Sequence, residues 1–206
     1  MALRWLNSQL KRTRPIGEQK ADFYDASFSS NPDWALHYTA SPYYFVWTVL
    51  IDRIRRRAAP RILEIACGPG QLARAIHDAV PVASYVGLDF SSVAIALARR
   101  ANPDLDFRCD DALTTTLLAA SDYDLVVCTE FLEHVESDRD VIGRARRGAM
   151  FLGTVPNFPY VSHVRHFRDV NEVSQRYAEL FDDFSVVAIK ANEDGKTFFL
   201  LEGRRR

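Results

Sequence analysis

The segment Arg61-Ile62-Leu63-Glu64-Ile65-Ala66-Cys67-Gly68-Pro69-Gly70-Gln71-Leu72-Ala73 constrains the chain more than any other: an apolar strand with one carboxylate in it, a glycine turn, and a helix start. Gly68 and Gly70 lack a Cβ and tolerate positive φ, so the backbone can approach a ligand, and the helix beyond them aims its free N–H groups at the same spot. About twenty residues on, Tyr85-Val86-Gly87-Leu88-Asp89 reads as a second strand ending in an acid, where such folds hydrogen-bond ribose hydroxyls. A plain alternative is that Asp89 caps a helix starting at Ser91 or Ser92.

Gly68-Pro69-Gly70-Gln71-Leu72-Ala73 also fits the G-x-G-x-x-A fingerprint of dinucleotide-binding turns. Two features oppose that reading. Glu64 stands where such a strand is usually apolar, and a carboxylate there suits a cationic ligand better than a pyrophosphate. No basic residue follows the turn until Arg74. The ligand these residues describe is adenosine-like and lacks phosphates.

Here the chain resembles the class I S-adenosylmethionine-dependent methyltransferases, from about Pro60 to the C-terminus. Their first motif, E/D-x-G-x-G-x-G, corresponds to Glu64-x-Ala66-x-Gly68-x-Gly70, with alanine for the first glycine. The resemblance implies that Gly68, Pro69 and Gly70 lie against the methionine part of the cofactor and that Glu64 steadies the loop or the amino group. It places Asp89 on the ribose and Phe90 beside the adenine. Phe107-Arg108-Cys109-Asp110-Asp111-Ala112 matches where the family contacts the adenine amino group; Asp111 fits best, with Asp110 or a plain turn as alternatives. In Tyr123 to Val135, an apolar strand leads into a polar helix start, which implies that Thr129 and Glu130 line the pocket.

With 48% apolar and 26% charged residues, a 206-residue chain can bury one large core. The expected elements are strand 61–66, helix 70–79, strand 84–89, helix 92–101, strands 105–109 and 124–128, helix 137–146, strand 149–155, helix 170–179, and strands 184–191 and 196–203. This alternation predicts an α/β fold: a Rossmann-like, doubly wound, mostly parallel seven-stranded sheet with a C-terminal antiparallel hairpin turning at Asn192-Glu193-Asp194-Gly195. Three regions follow: a basic flexible arm over 1–20, an N-terminal helical lid over 21–58, and the methyltransferase core over 59–206. The lid is dense in aromatics, of which Tyr38, Tyr43 and Tyr44 are the candidates for covering the site.

No apolar run of about eighteen residues and no signal-peptide pattern is present, so the expectation is a soluble, cytoplasmic protein. Cys67, Cys109 and Cys128 lack C-x-x-C spacing, which argues against disulfides and a thiolate metal site. A net charge of −1 gives no general reason to expect nucleic acid or a membrane as partner. The arginines at 53, 55, 56, 57 and 61 read as compensation of a helix dipole. Arg4, Lys11, Arg12, Arg14 and Lys20 lie beside Trp5 and three leucines in a weakly amphipathic arm. Oligomeric state stays open.

Displacement at a sulfonium needs alignment, exclusion of water and, for an oxygen acceptor, a base. Glu130-Phe131-Leu132-Glu133-His134 and His163-Val164-Arg165-His166-Phe167 supply candidates. His163-x-Arg165-x-Phe167 is similar to a pattern that small-molecule methyltransferases place after strand five, which makes His163 the first candidate base and His166 the second, with Glu130 beside them. The same residues, Glu130, Glu133, His134 and His163, could form a divalent-metal set. They resemble in this the metal-dependent methyltransferases of small-RNA 2′-hydroxyls and some methyltransferases of ubiquinone synthesis. The reading adopted is metal-free, since E-x-x-E-H segments also brace helices: an S-adenosylmethionine-dependent methyltransferase of a small molecule, at oxygen. A metal-assisted 2′-O-methyltransferase of RNA ends and a non-catalytic cofactor-binding module are the alternatives.

Overall fold

The computed structural model describes residues 17–191 and 195–206. Arg4, Trp5, Lys11, Arg12 and Arg14 of the expected arm, and three of the four expected hairpin-turn residues, lie outside them. Seven strands form one sheet among the described residues: β1 (Arg61–Ile65), β2 (Ser84–Asp89), β3 (Asp106–Cys109), β4 (Leu125–Thr129), β5 (Met150–Pro156), β6 (Phe181–Lys190) and β7 (Thr197–Arg205), in the order β3-β2-β1-β4-β5-β7-β6. The strands β1 to β5 pair in parallel, while β7 is antiparallel to both β5 and β6. Strand order reverses between β1 and β4, which opens a crevice beyond their carboxyl ends.

Helices cover both faces, as a parallel sheet requires: α1 (Ala21–Ser30), α2 (Tyr44–Arg55), α3 (Gln71–Ala79), α4 (Ser92–Ala101), α5 (Leu117–Ala120), α6 (Asp138–Arg144) and α7 (Val170–Tyr177). Period-two alternation sorts the strand side chains. Ile62, Leu125, Val127 and Leu152 join the core under α2 and α3, while Leu63, Ile65, Val126, Cys128 and Phe151 join the one under α6 and α7. Helix α2 buries Val46, Trp47, Leu50, Ile51 and Ile54, whereas no residue from 17 to 43 is buried. That segment lies over the crevice without entering either core.

The expected elements lie within one to three residues of their observed bounds. The largest departure is β6, which begins at Phe181 where the sequence suggested 184, after α7 has ended at Tyr177 and a 3-10 turn has taken Ala178–Leu180. Asp182-Asp183 reads as turn chemistry, yet this edge strand absorbs it as a bulge, with Asp183 at φ +54° and the register shifting between Asp182 and Ser185. The short helix α5 was not expected.

Candidate active site

A pocket of about 850 Å³ sits over the carboxyl ends of β1 and β4, roofed by α1 and the start of α2. Its floor is the turn after β1, where Ala66, Gly68 and Gly70 all have positive φ, at 55°, 53° and 80°. Ala66 thus adopts the left-handed backbone that the glycine of the motif would take more easily, at a cost of about 1–2 kcal/mol. A Cβ on Gly68 would meet nothing nearer than the Phe28 ring at 3.9 Å. Gly70 does not line the pocket. A Cβ there would strike Asn102 Nδ2 at 2.8 Å, so the missing side chain serves the packing of α3 against α4.

Asp89, at the end of β2, fastens this turn. Its Oδ2 accepts from the Gly68 amide at 3.0 Å and its Oδ1 from the Ser91 amide at 2.8 Å. Burial raises its pKa to about 6, against the lowering effect of those two bonds. Each oxygen keeps a further lone pair for a hydroxyl donor. Helix α4 is capped by Ser91, whose Oγ accepts from the Ala94 amide, not by Asp89. Glu64 is buried under the pocket and accepts from the Tyr85 hydroxyl at 2.6 Å; burial lifts its pKa to about 8. Phe90, Pro69, Ala112 and Thr129 all line the pocket. Asp110 and Asp111 line it as well: Asp110 is held by the Asp111 amide and the Thr115 hydroxyl, while Asp111 accepts from the Leu113 amide through Oδ1.

Seven side chains around the pocket carry carboxyl groups, two of which, Glu64 and Glu130, burial keeps mostly protonated at neutral pH, and Lys20 is its one cation among the described residues. That donor set fits S-adenosylmethionine, which carries a sulfonium and an ammonium and no phosphate.

Beyond β4 the backbone is strained at Glu130, with φ +52°. Its carboxylate accepts from Thr154 Oγ1 at 2.9 Å, and burial raises its pKa to about 8. Glu130 therefore does not share one helical face with Glu133 and His134, which lie on a separate 3-10 turn, Leu132–His134. His163 is buried in the pocket wall with Nδ1 3.1 Å from Phe158 O, and burial drops its pKa to about 3. His134 Nδ1 lies 3.0 Å from Ser162 O, and burial drops this imidazole to about 4. Such imidazoles stay neutral but bind protons feebly, which counts against His163 as the base. His166 is exposed and does not line the pocket.

Residues that sequence reasoning missed come from the roof. Tyr24 packs on Phe90 at 5.4 Å and edge-on to His134 at 6.0 Å, and burial drives its hydroxyl pKa well up. Asp25 accepts from Ser91 Oγ at 2.5 Å, and Gln71 donates to Leu36 O at 2.7 Å. Of the expected covering tyrosines, Tyr43 lines the pocket, whereas Tyr38 and Tyr44 pack beside the α2 core. A half-polar, unburied segment gives no periodicity from which those contacts could have been read.

A doubly wound sheet whose glycine turn and acidic strand ends converge on a cation-suited adenosine site defines the class I methyltransferase architecture. A family model described as "Methyltransferase domain" matches residues 62–148. The chain carries a class I S-adenosylmethionine-dependent methyltransferase domain. It is 33% identical over 148 residues to a trans-aconitate 2-methyltransferase of Mycolicibacterium gilvum, covering 69% of this chain and 54% of that one. To a ubiquinone biosynthesis O-methyltransferase of Pseudomonas aeruginosa it is 31% identical over 118 residues, covering 53% and 50%. The chain thus spans about half the length of these curated relatives. The structure of N-methyltransferase NodS from Bradyrhizobium japonicum WM9 with S-adenosyl-L-homocysteine superposes with a TM-score of 0.70 at 17% identity, covering 90% of this chain and 97% of that one. No helix among the described residues is long and apolar enough to cross a membrane.

Proposed function

We propose that the chain transfers the methyl group of S-adenosylmethionine to an oxygen of an uncharged, ring-bearing small molecule. The observation that carries this reading is the composition of the large pocket over β1 and β4: seven carboxyl groups, two of them, Glu64 and Glu130, neutralised by burial, against one lysine among the described residues, with rings that include Phe28, Trp34, Tyr43, Trp47 and Phe158. A tricarboxylate such as the substrate named for the M. gilvum relative would meet like charge here, and an RNA end would find almost no phosphate-binding cation. An uncharged ring gains edge-to-face contact of the kind Phe158 and Tyr43 each make with Phe198, at 5.5 and 6.0 Å.

When bound, the cofactor supplies an electrophilic methyl on a good leaving group. Asp89 and the Gly68 turn would hold the ribose and amino-acid ends, Asp111 and Phe90 would flank the adenine, and Thr129 lines the same pocket at the end of β4. Residues 18–43 lie over the crevice and exclude water. In its ionised form Glu130, held by Thr154, would take the acceptor's proton. It replaces the imidazoles of His163 and His166, the one too weakly basic and the other outside the pocket. In this reading the base is reassigned from the imidazoles to Glu130.

Isothermal titration with S-adenosylmethionine and S-adenosylhomocysteine tests the first half. Micromolar binding is expected, and no binding of either would sink the reading. Release of S-adenosylhomocysteine with hydroxylated aromatic probes and with trans-aconitate tests the second, and turnover of trans-aconitate alone would overturn the acceptor class.

A further inference from the structure

We propose that Arg53, Arg57 and Arg204 form an anion site for a small phosphorylated ligand, at the end of the sheet opposite the pocket. Topology brings the three together. Arg53 stands in the last turn of α2, and Arg57 follows four residues on, its amide still donating to Ile54 O at 3.0 Å, so both face the same way. Arg204 is near the end of β7, which runs antiparallel to β5 and sets it opposite Met150 at the amino end of that strand. The amino ends of the parallel strands lie roughly 15 Å from the carboxyl ends that bear the pocket, and none of the three arginines lines it.

One carboxylate faces these three guanidinium groups. Glu202 precedes Arg204 by two residues on β7 and shares its face of the sheet; its Oε2 lies 3.6 Å from Arg53 Nη1, an ion pair too long for a hydrogen bond. Asp124 is close as well but is already engaged, accepting from the Arg61 amide at 3.1 Å and from Arg61 Nε at 3.2 Å. Arg204 gives one N–H to Gly148 O at 3.0 Å, and the Arg57 guanidinium makes no hydrogen bond or ion pair among the described residues. Burial pulls Arg57 below its ordinary pKa; Glu202 opposes this and Arg204 reinforces it, so like charges crowd here around a single acid.

Arg53 gives the independent observation. Its Nε is buried and has no hydrogen-bond partner, while the rest of the side chain stays 25% exposed. An N–H of a charged group left without an acceptor is costly. An oxyanion drawn against the guanidinium would supply that acceptor, and the planar fork of arginine matches two oxygens of one phosphoryl group. The dipole of α2 does not account for the cluster. It places about half a negative charge at this end, enough to favour the arginines of its own last turn, and leaves Arg57 and Arg204 without a counter-charge. A ligand with two or more negative charges balances them. The site is remote from the pocket and does not rest on the function proposed above.

The test titrates the full chain with pyrophosphate by calorimetry in a low-salt, phosphate-free buffer, alone and with S-adenosylhomocysteine at saturation. One pyrophosphate per chain is expected, with an affinity that falls as salt is added and does not change with S-adenosylhomocysteine. Arg57→Gln and Arg204→Gln should each weaken it by about tenfold or more while circular dichroism stays native, and Glu202→Gln, which removes the competing carboxylate, should tighten it by about threefold or more. The Glu202 variant separates a binding site from arginines that only brace the fold, since loss of a structural ion pair would not improve affinity. Absence of binding in the wild type, equal affinity in both arginine variants, or weaker binding in Glu202→Gln overturns the site. Competition by S-adenosylhomocysteine would put the anion in the cofactor pocket and overturn its location. Binding of an anionic-lipid vesicle or an oligonucleotide with no binding of pyrophosphate overturns the small-ligand class.

Discussion

The carboxylate of Asp89 and the amide of Gly68 meet at 3.0 Å across 21 residues of sequence, tying the end of β2 to the turn after β1. Asp89 thus shapes the turn, and in the proposed reading it also presents oxygens to a ribose. Asp89→Asn keeps the volume but turns one acceptor into a donor, leaving either the Gly68 or the Ser91 amide unpaired, a penalty of about 1–3 kcal/mol. The Kd for S-adenosylhomocysteine should rise by about tenfold to a hundredfold in calorimetry. An unchanged Kd would sink the ribose assignment.

The two glycines of the turn should separate function from stability. Gly70→Ala meets Asn102 Nδ2 at 2.8 Å and both Ala98 Cβ and Phe107 Cζ at 3.1 Å, at φ +80°. It should lower unfolding stability by about 2–4 kcal/mol in urea titration. Gly68→Ala, with open space around the new methyl, should cost only the left-handed strain of about 1–2 kcal/mol while weakening cofactor binding. The opposite ranking of stabilities would contradict the described packing.

Burial holds the Glu64 pKa at about 8, above its ordinary value of 4.5, with the Tyr85 hydroxyl opposing the shift. The folded state therefore binds this proton more tightly than the unfolded one. The resulting stabilisation of the protonated form is fully present below about pH 4.5 and is lost as pH climbs toward 8, by about 5 kcal/mol in the limit. Glu64→Gln removes this dependence. Its melting temperature relative to wild type should climb between pH 5 and pH 8 and then level off; a difference independent of pH would show that Glu64 ionises normally.

What was legible in the sequence is what secondary-structure periodicity and turn chemistry encode. The apolar runs of Arg61–Ile65 and Leu125–Thr129, the Gly68-Pro69-Gly70 turn and the acid ending Ser84–Asp89 carried the sheet, its switch point and the pocket floor. Gly70 shows the limit: its type and spacing were visible, but whether its missing Cβ faced ligand or the α3–α4 contact depends on Asn102 and Phe107, 32 and 37 residues away. Basicity was also out of reach, because burial above all moves His163 to about 3 and Glu130 to about 8, and burial is set by the whole fold. The roof was least legible, since its polar contacts follow no helical or strand period.

That roof yields the last prediction. Asp25 on α1 reaches the N-terminus of α4, where Oδ1 accepts from Ser91 Oγ at 2.5 Å and from the Val93 amide at 3.3 Å and Oδ2 from Ser92 Oγ at 3.5 Å. A carboxylate there is favoured by the helix dipole as well as by the hydrogen bonds. Because no residue from 17 to 43 is buried, few apolar contacts back up this latch. Asp25→Ala should therefore loosen the roof without unfolding the core. The dissociation rate of S-adenosylhomocysteine should rise by about tenfold in stopped flow, and chymotrypsin should cut sooner at Phe23, Tyr24 or Phe28, while the melting temperature falls by no more than about 4 °C. If release and cleavage stay at wild-type rates, α1 is held by its rings on Phe90 and His134 and not by Asp25. A global loss of stability would instead make the segment part of the cooperative core.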